Sequence, residues 1–255
     1  NDESAIARRR DDYFVWWHEL LLYSDAIARL RGKPFFHFVQ PNQYDRGSKP
    51  LSPEERESFT RNTPWFAHLS YLRPHPPYTA AGKWASAYDP AAVDMPITPA
   101  SERHGFHEAV MQLPDTAAPR TEAGVRRMRA QYYGMIGDVD EQLGRIWDSL
   151  VERGMWDNTI IIVTADHGEQ LGDHGLKEKL GFFEQSYHIL GIVRDPRLSS
   201  RNGTTVDHFT ENVDVLPTIA EALGHPVPKQ CDGLPLTPLL EGRQVEHWRT
   251  AASYE

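Results

Sequence analysis

Asp166 and His167 stand side by side in the run Thr164-Ala165-Asp166-His167-Gly168-Glu169-Gln170-Leu171-Gly172-Asp173-His174-Gly175. A carboxylate oxygen and an imidazole nitrogen on adjacent residues are hard-to-intermediate ligands for a divalent cation. Gly168, directly after them, lets the backbone turn sharply. Alone, such a pair reads as a helix cap beside a polar loop residue. Its position changes that reading. The pair follows Thr159-Ile160-Ile161-Ile162-Val163-Thr164, a β-branched run that is apolar on both faces. It therefore sits at the carboxyl end of a buried strand, where ligands bind in open α/β sheets.

The elements that must position this pair are legible on either side. From about Thr121 to Arg153, Val125, Met128, Tyr132, Met135, Ile136, Val139, Leu143, Ile146, Trp147 and Leu150 recur at steps of three and four. That spacing gives one continuous apolar helix face, stopped by Gly154. Helix, tight turn and buried strand make half of a βαβ unit, so the fold class expected is α/β, with a mainly parallel sheet flanked by helices. The Thr159–Thr164 strand is expected to be central and parallel to a strand at Trp65–Tyr71, with the long helix across the sheet. A further strand is expected at Leu190–Val193, and a helix at Asp214–Leu223 ended by Gly224.

Upstream, Ser4–Arg31 has helical spacing, Phe35–Val39 is a short buried-strand candidate, and Ser52-Pro53 opens another helix. From Arg73 to about Pro119 the chain is rich in Pro, Ala, Ser and Thr without a sustained period, and reads as a long functional surface excursion.

The bulk numbers exclude several classes. The 255 residues are 40% hydrophobic and 25% charged, enough to bury a real core. A formal charge of −9 argues against a nucleic-acid partner, since phosphate binding needs clustered Lys and Arg. No stretch approaches the ~18 apolar residues of a membrane helix. One cysteine, Cys231, excludes an intrachain disulfide framework, and a cytoplasmic setting is expected. The chain starts at Asn1 without Met or a signal region, and is expected to be part of a longer protein.

The run from Asp166 to His174, followed by Lys179-Leu180-Gly181, resembles the second metal motif of the sulfatase family, within the alkaline-phosphatase-like superfamily. The likeness is nearest to the branch of arylsulfatases and phosphonate monoester hydrolases. Three more stretches agree, in the family's order: Leu72-Arg73-Pro74-His75-Pro76-Pro77-Tyr78, Tyr132-Tyr133-Gly134-Met135-Ile136, and Glu211-Asn212-Val213-Asp214-Val215-Leu216-Pro217-Thr218. The resemblance implies that Asp166 and His167 bind a divalent metal ion, for which Ca²⁺ and Mn²⁺ are both suited. It implies that Lys179 contacts sulfate or phosphonate oxygens, and that His75 donates to the same group or to the leaving oxygen. The expected function is metal-dependent hydrolysis of sulfuric, phosphonic or phosphoric esters, with a small anionic ester as substrate. Asp173 and His174 are expected to orient the metal ligands, and Glu169 to be structural.

The family's nucleophile lies in a Cys-x-Pro-x-Arg motif, preceded by a strand with paired acidic metal ligands. This chain has neither. Cys231 stands in Gln230-Cys231-Asp232-Gly233-Leu234-Pro235, which lacks the Pro and Arg at those offsets. The organisation expected is an unassigned N-terminal α/β segment over 1–61 and a partial sulfatase-like domain over 62–255. Within the first, Phe36–Tyr44 and Gly47–Leu51 are faintly similar to a segment of SGNH-class hydrolases, without that class's nucleophile. Two other readings stay open: a degenerate, non-catalytic homologue that binds or supports, and another alkaline-phosphatase-like phosphotransferase.

Overall fold

A computed structural model describes residues 66–253 and the backbone of residues 35–39. Two compact units result, Asn1–Pro77 and Tyr78–Glu255. In the first, β1 (Phe35–Val39) pairs parallel with β2 (Phe66–Ser70), from Phe35 opposite Phe66 to Val39 opposite Ser70. The helices expected at Ser4–Arg31 and after Ser52 lie outside the described residues.

The second unit is built on one long helix. After a short helix α1 (Gly105–Val110), α2 runs Glu122–Glu152, within a residue of its expected ends. The Thr121 hydroxyl caps it by accepting from the Gly124 N–H at 3.1 Å, and Gly154 leaves it at φ +64°. There follow β3 (Ile161–Thr164), α3 (Glu184–Tyr187), β4 (Gly191–Arg194), α4 (Val215–Ala222) and α5 (Thr237–Leu240). Among the described residues, no helix is long and apolar enough to cross a membrane.

Within this unit, residues 78–119 are mostly exposed, as a surface excursion should be, but the excursion is anchored at several points. Ala80, Val93 and Val110 are buried, and the segment wraps α2. The cause is a second helix face that apolar periodicity does not reveal: Ala130, Gly134 and Gly137 are small, and all three are buried. Trp84 lies along that groove, and its indole N–H donates to Glu141 at 2.8 Å. The Gln131 side chain bridges the Ala80 N–H and the Ala85 carbonyl, while Arg126 donates to the Val93 carbonyl at 2.6 Å. Backbone groups of the segment that have no partner within it are thus satisfied by side chains of the helix.

A Cβ on Gly134 would come within 2.4 Å of the Trp84 carbonyl oxygen. Gly134→Ala should gain about 1 kcal/mol of helix propensity. Overpacking costs about 1–3 kcal/mol, and a backbone atom cannot swing aside. A lowered urea midpoint is the expected outcome; an unchanged or raised midpoint would contradict the close packing of Trp84 on α2.

The strand β3 has a neighbour that the sequence reading did not foresee. Its hydrogen-bonded neighbour among the described residues is β4, and the two run antiparallel, with Ile161 opposite Arg194 and Thr164 opposite Gly191. Ile161, Ile162 and Val163 are half-buried. A two-face apolar run reports which faces seek cover, not the direction of the next strand. That direction is set by the connection from Thr164 back to Gly191, which carries the candidate site.

Candidate active site

The chain leaves β3 at Thr164 and enters a loop stitched on three sides. On the first side, the Gly168 N–H donates to the Ser186 carbonyl at 2.7 Å and the Glu169 N–H to the Gln185 carbonyl at 2.8 Å. Gly168 is needed here for space: a Cβ would meet the Gln185 oxygen at 2.1 Å. The sharp turn expected at Gly168 falls later, at Leu171 (φ +49°) and Gly172 (φ +96°).

On the second side, the loop holds the segment that carries Lys179. One Glu169 carboxylate oxygen accepts from the Leu171 N–H at 3.1 Å and the Glu178 N–H at 2.5 Å. The Gln170 N–H donates to the Glu178 carbonyl at 2.9 Å, and the fully buried Gln170 side chain donates to the Ser186 hydroxyl at 2.8 Å. Glu178 is therefore tied at both its amide and its carbonyl, at φ +63°. That is how two residues so far apart in sequence as His167 and Lys179 meet. The structural role expected of Glu169 is the one observed. Burial, then the nearby Glu169 charge, raises both the Tyr78 and Tyr132 hydroxyls well above their ordinary pKa, so both stay neutral phenols.

On the third side, Asp173 accepts from the Ile97 N–H at 2.8 Å, and the His174 ring stacks on Phe183 with centroids 3.8 Å apart. The His174 carbonyl faces His107 Nε2 at 2.8 Å. The Ile97 and His107 contacts fasten the loop to the 97–107 part of the wrapping segment, and the stacking fastens it to Phe183. They are made with neither Asp166 nor His167, so any orienting effect of Asp173 and His174 acts through the backbone.

At the site itself, His167 Nδ1 lies 2.7 Å from the Gly168 carbonyl oxygen. A carbonyl only accepts, so Nδ1 carries the proton, and the neutral ring's lone pair is at Nε2. Lys179 Nζ sits 3.2 Å from Nε2, as an ammonium donating to that lone pair requires. Asp166 Oδ2 is 3.7 Å from the same nitrogen. Carboxylate, imidazole and ammonium thus converge on one point beyond β3.

The Asp166 side chain is 89% exposed, and its Oδ1 accepts from the His167 N–H at 3.0 Å. A charged oxygen and an imidazole lone pair that share an open space fit part of a divalent-cation shell. Among the described residues, no third His, Cys, Asp or Glu joins them to make a closed cluster.

His75 belongs to the first unit. Its N–H donates to the Leu72 carbonyl at 3.0 Å, and its Nδ1 lies 2.8 Å from the Pro76 carbonyl, which leaves Nε2 as the exposed nitrogen. Cys231 is half-buried and free. An open concavity of about 350 Å³ lies elsewhere, lined by residues that include Arg103, His104, Phe106 and Phe182; Asp166, His167 and Lys179 are not in its wall.

Sequence reasoning gave no role to Asn212, Asp214 or Arg249, which support the same loop. Asn212 Nδ2 donates to the carbonyls of Ala165 and Asp166 at 3.0 and 3.1 Å. Asp214, wholly buried, takes a two-pronged hydrogen bond from Arg249 and further N–H donors from Glu211 and Leu234, each at 2.8 Å. The legible signal is the Glu211…Asp214 spacing of a capping box, which the structure forms.

Comparison with known proteins supplies the family. The sulfatase family model matches residues 48–225. The chain is 38% identical over 209 residues to PehA of Trinickia caryophylli, a multifunctional alkaline phosphatase superfamily protein, covering 75% of this chain and 40% of that one. It is 32% identical to a choline-sulfatase of Rhizobium meliloti, over 92% of this chain and 47% of the relative. The phosphonate monoester hydrolase of Agrobacterium radiobacter superposes with a TM-score of 0.68 at 36% identity, over 78% of this chain and 44% of that one. The chain spans less than half the length of each of these relatives. The α/β architecture is accordingly alkaline-phosphatase-like and partial, and the chain belongs to the sulfatase family.

Proposed function

We propose that this chain supplies one side of the active site of a divalent-metal-dependent hydrolase of sulfuric, phosphonic or phosphoric esters. The observation that carries the reading is the convergence of Asp166, His167 Nε2 and Lys179 Nζ, 3.2–3.7 Å apart around one imidazole nitrogen. Relatives named as a choline-sulfatase and a phosphonate monoester hydrolase give the substrate classes.

Asp166 and His167 would hold the cation, Ca²⁺ or Mn²⁺. When bound, it neutralises charge that develops on the oxygens of the transferring group. Lys179, an exposed ammonium with three donors, would bind those oxygens in the same way. The Gly168 carbonyl keeps the proton on His167 Nδ1, so Nε2 carries the lone pair that a cation would take once the Lys179 ammonium moved off it. His75, with Nε2 as its exposed nitrogen, is the proposed donor to the leaving oxygen. The nucleophile is not among the residues of this chain that the family motif identifies.

Two protein ligands leave a cation that prefers six or more oxygens largely hydrated, so affinity should lie at the weak end of calcium sites, about 10⁻⁴–10⁻³ M. Titration with Mn²⁺, followed by electron paramagnetic resonance, is expected to show one saturable site per chain in that range. Asp166→Ala and His167→Ala should each remove it. Equal Mn²⁺ binding by wild type and both variants would sink the metal assignment.

A further inference from the structure

Asp166 has almost no packing to aim it. Its side chain is 89% exposed, and the groups that set its direction are the two peptide planes on either side of its Cα. The carbonyls of those planes, Ala165 and Asp166, are both bound by one side chain. Asn212 Nδ2 has two hydrogens and two acceptors, at 3.0 and 3.1 Å. Holding both carbonyls fixes ψ of Ala165 and ψ of Asp166, and hence the exit of the Asp166 Cα–Cβ bond and the entry of the His167 peptide. The amide oxygen of Asn212 is 3.4 Å from the Thr164 hydroxyl, which itself donates to the Leu190 carbonyl at 3.1 Å. The end of β3, the start of β4 and the metal loop therefore meet at Asn212.

Asn212 is exposed, yet it sits in a turn anchored on both sides. It opens the 3₁₀ turn Asn212–Asp214 between the two partners of the capping box. Asp214 is wholly buried against Arg249, and Arg249 also reaches the Glu211 carboxylate at 3.1 Å. Gly233 lets the backbone pass close over this turn: a Cβ there would meet the Val213 oxygen at 2.0 Å. A rigid turn thus presents an exposed amide to two carbonyls of the metal loop, which rigidity alone would not require.

We propose that Asn212 is a positioning residue that fixes the angle at which Asp166 and His167 present their ligand atoms to the cation. This rests on the reading of Asp166 and His167 as metal ligands. Outer contacts that orient ligands are worth about 10–100-fold in metal affinity. An exposed side chain bonded to two carbonyls contributes little to global stability. The two roles therefore separate in one experiment.

Mn²⁺ affinity and the thermal midpoint are measured on the full chain for wild type, Asp166→Ala, Asn212→Leu and Asn212→Gln. Leu keeps the approximate volume and removes the donors; Gln restores an amide on a longer arm. The expected result is an affinity about tenfold weaker in Asn212→Leu, partly recovered in Asn212→Gln, with thermal midpoints close to wild type. If Asp166→Ala abolishes binding while Asn212→Leu leaves it unchanged, the positioning role is overturned and the metal reading stands. Weakened binding that tracks a lowered midpoint overturns it as well, because the effect is then structural. If Asp166→Ala itself binds Mn²⁺ like wild type, the metal reading fails first and the positioning role falls with it.

Discussion

Asp214→Ala is expected to be the most destabilising single substitution in the Tyr78–Glu255 unit. The carboxylate is wholly buried, and the Arg249 guanidinium paired with it has a side chain only 16% exposed. Removing one member of a buried pair costs about 3–5 kcal/mol, because the other charge stays in a medium of low dielectric, here with only the Glu211 carboxylate at 3.1 Å still facing Arg249. The N–H groups of Glu211 and Leu234 lose their acceptor in the same step. Against a total stability of about 5–15 kcal/mol, such a loss leaves the domain marginal or unfolded at room temperature. Replacing both partners, as in Asp214→Leu with Arg249→Met, should cost less than the two single changes summed, since the buried guanidinium leaves with its carboxylate and the Glu211 carboxylate, 20% exposed, can turn to water. Urea unfolding of the single and double variants checks this. A double variant as unstable as the sum of its singles would show that the pair is not coupled as its geometry requires.

The second large effect concerns turnover. The chain on its own is expected to hydrolyse sulfate, phosphonate and phosphate esters no faster than buffer. A covalent mechanism has no starting group without the family's nucleophile, and no residue here stands in its motif. Joining the chain, covalently or in trans, to the part of a sulfatase domain that bears the nucleophile and the paired acidic ligands should give metal-dependent hydrolysis. In that assembly, Asp166→Ala and Lys179→Ala should each lower kcat by about 10²–10³, the scale for losing one charge-stabilising group at a transition state. Metal-dependent turnover by the 255-residue chain alone would contradict this and require another nucleophile. An assembly that binds metal but never turns over would favour the reading of a non-catalytic homologue.

The parts of this account that were legible in the sequence are local. The ends of α2 follow from an apolar stripe, a capping Thr121 and a stop at Gly154, all read within one helix. Strands at Ile161–Thr164 and Gly191–Arg194 lie within a residue or two of their expected positions, because β-branched runs mark themselves. The Asp166–His167 pair and Lys179 emerged from a long colinear motif, and their sharing of one site was implied by the resemblance.

What the sequence hid is non-local. The antiparallel partner of β3 depends on how a long connection returns, and hydrophobic pattern carries no sign for that. The anchoring of the 78–119 segment on α2 depends on Gly134 and Gly137, whose smallness reads as nothing in particular until Trp84 is seen against them. Asp214 and Arg249 lie 35 residues apart, and no periodicity links a buried carboxylate to its counter-ion. Asn212 was hidden for the opposite reason: it sits inside a segment quoted for its resemblance, yet its contacts are with the backbone of residues 47 and 46 positions earlier. His75 lies in the other compact unit, so its part in the site remains a proposal carried by the resemblance.

The central claim is that Asp166 and His167 hold the cation, and it has a direct test. Crystals of the chain grown or soaked with Mn²⁺ should give an anomalous difference peak within about 2.1–2.6 Å of an Asp166 carboxylate oxygen and of His167 Nε2, with water filling the remaining positions. Lys179 Nζ, now 3.2 Å from that imidazole nitrogen, should then have moved off it. A peak instead among His104, His107 and His174, or Mn²⁺ bound at one site with both Asp166 and His167 outside its coordination shell, would contradict the account.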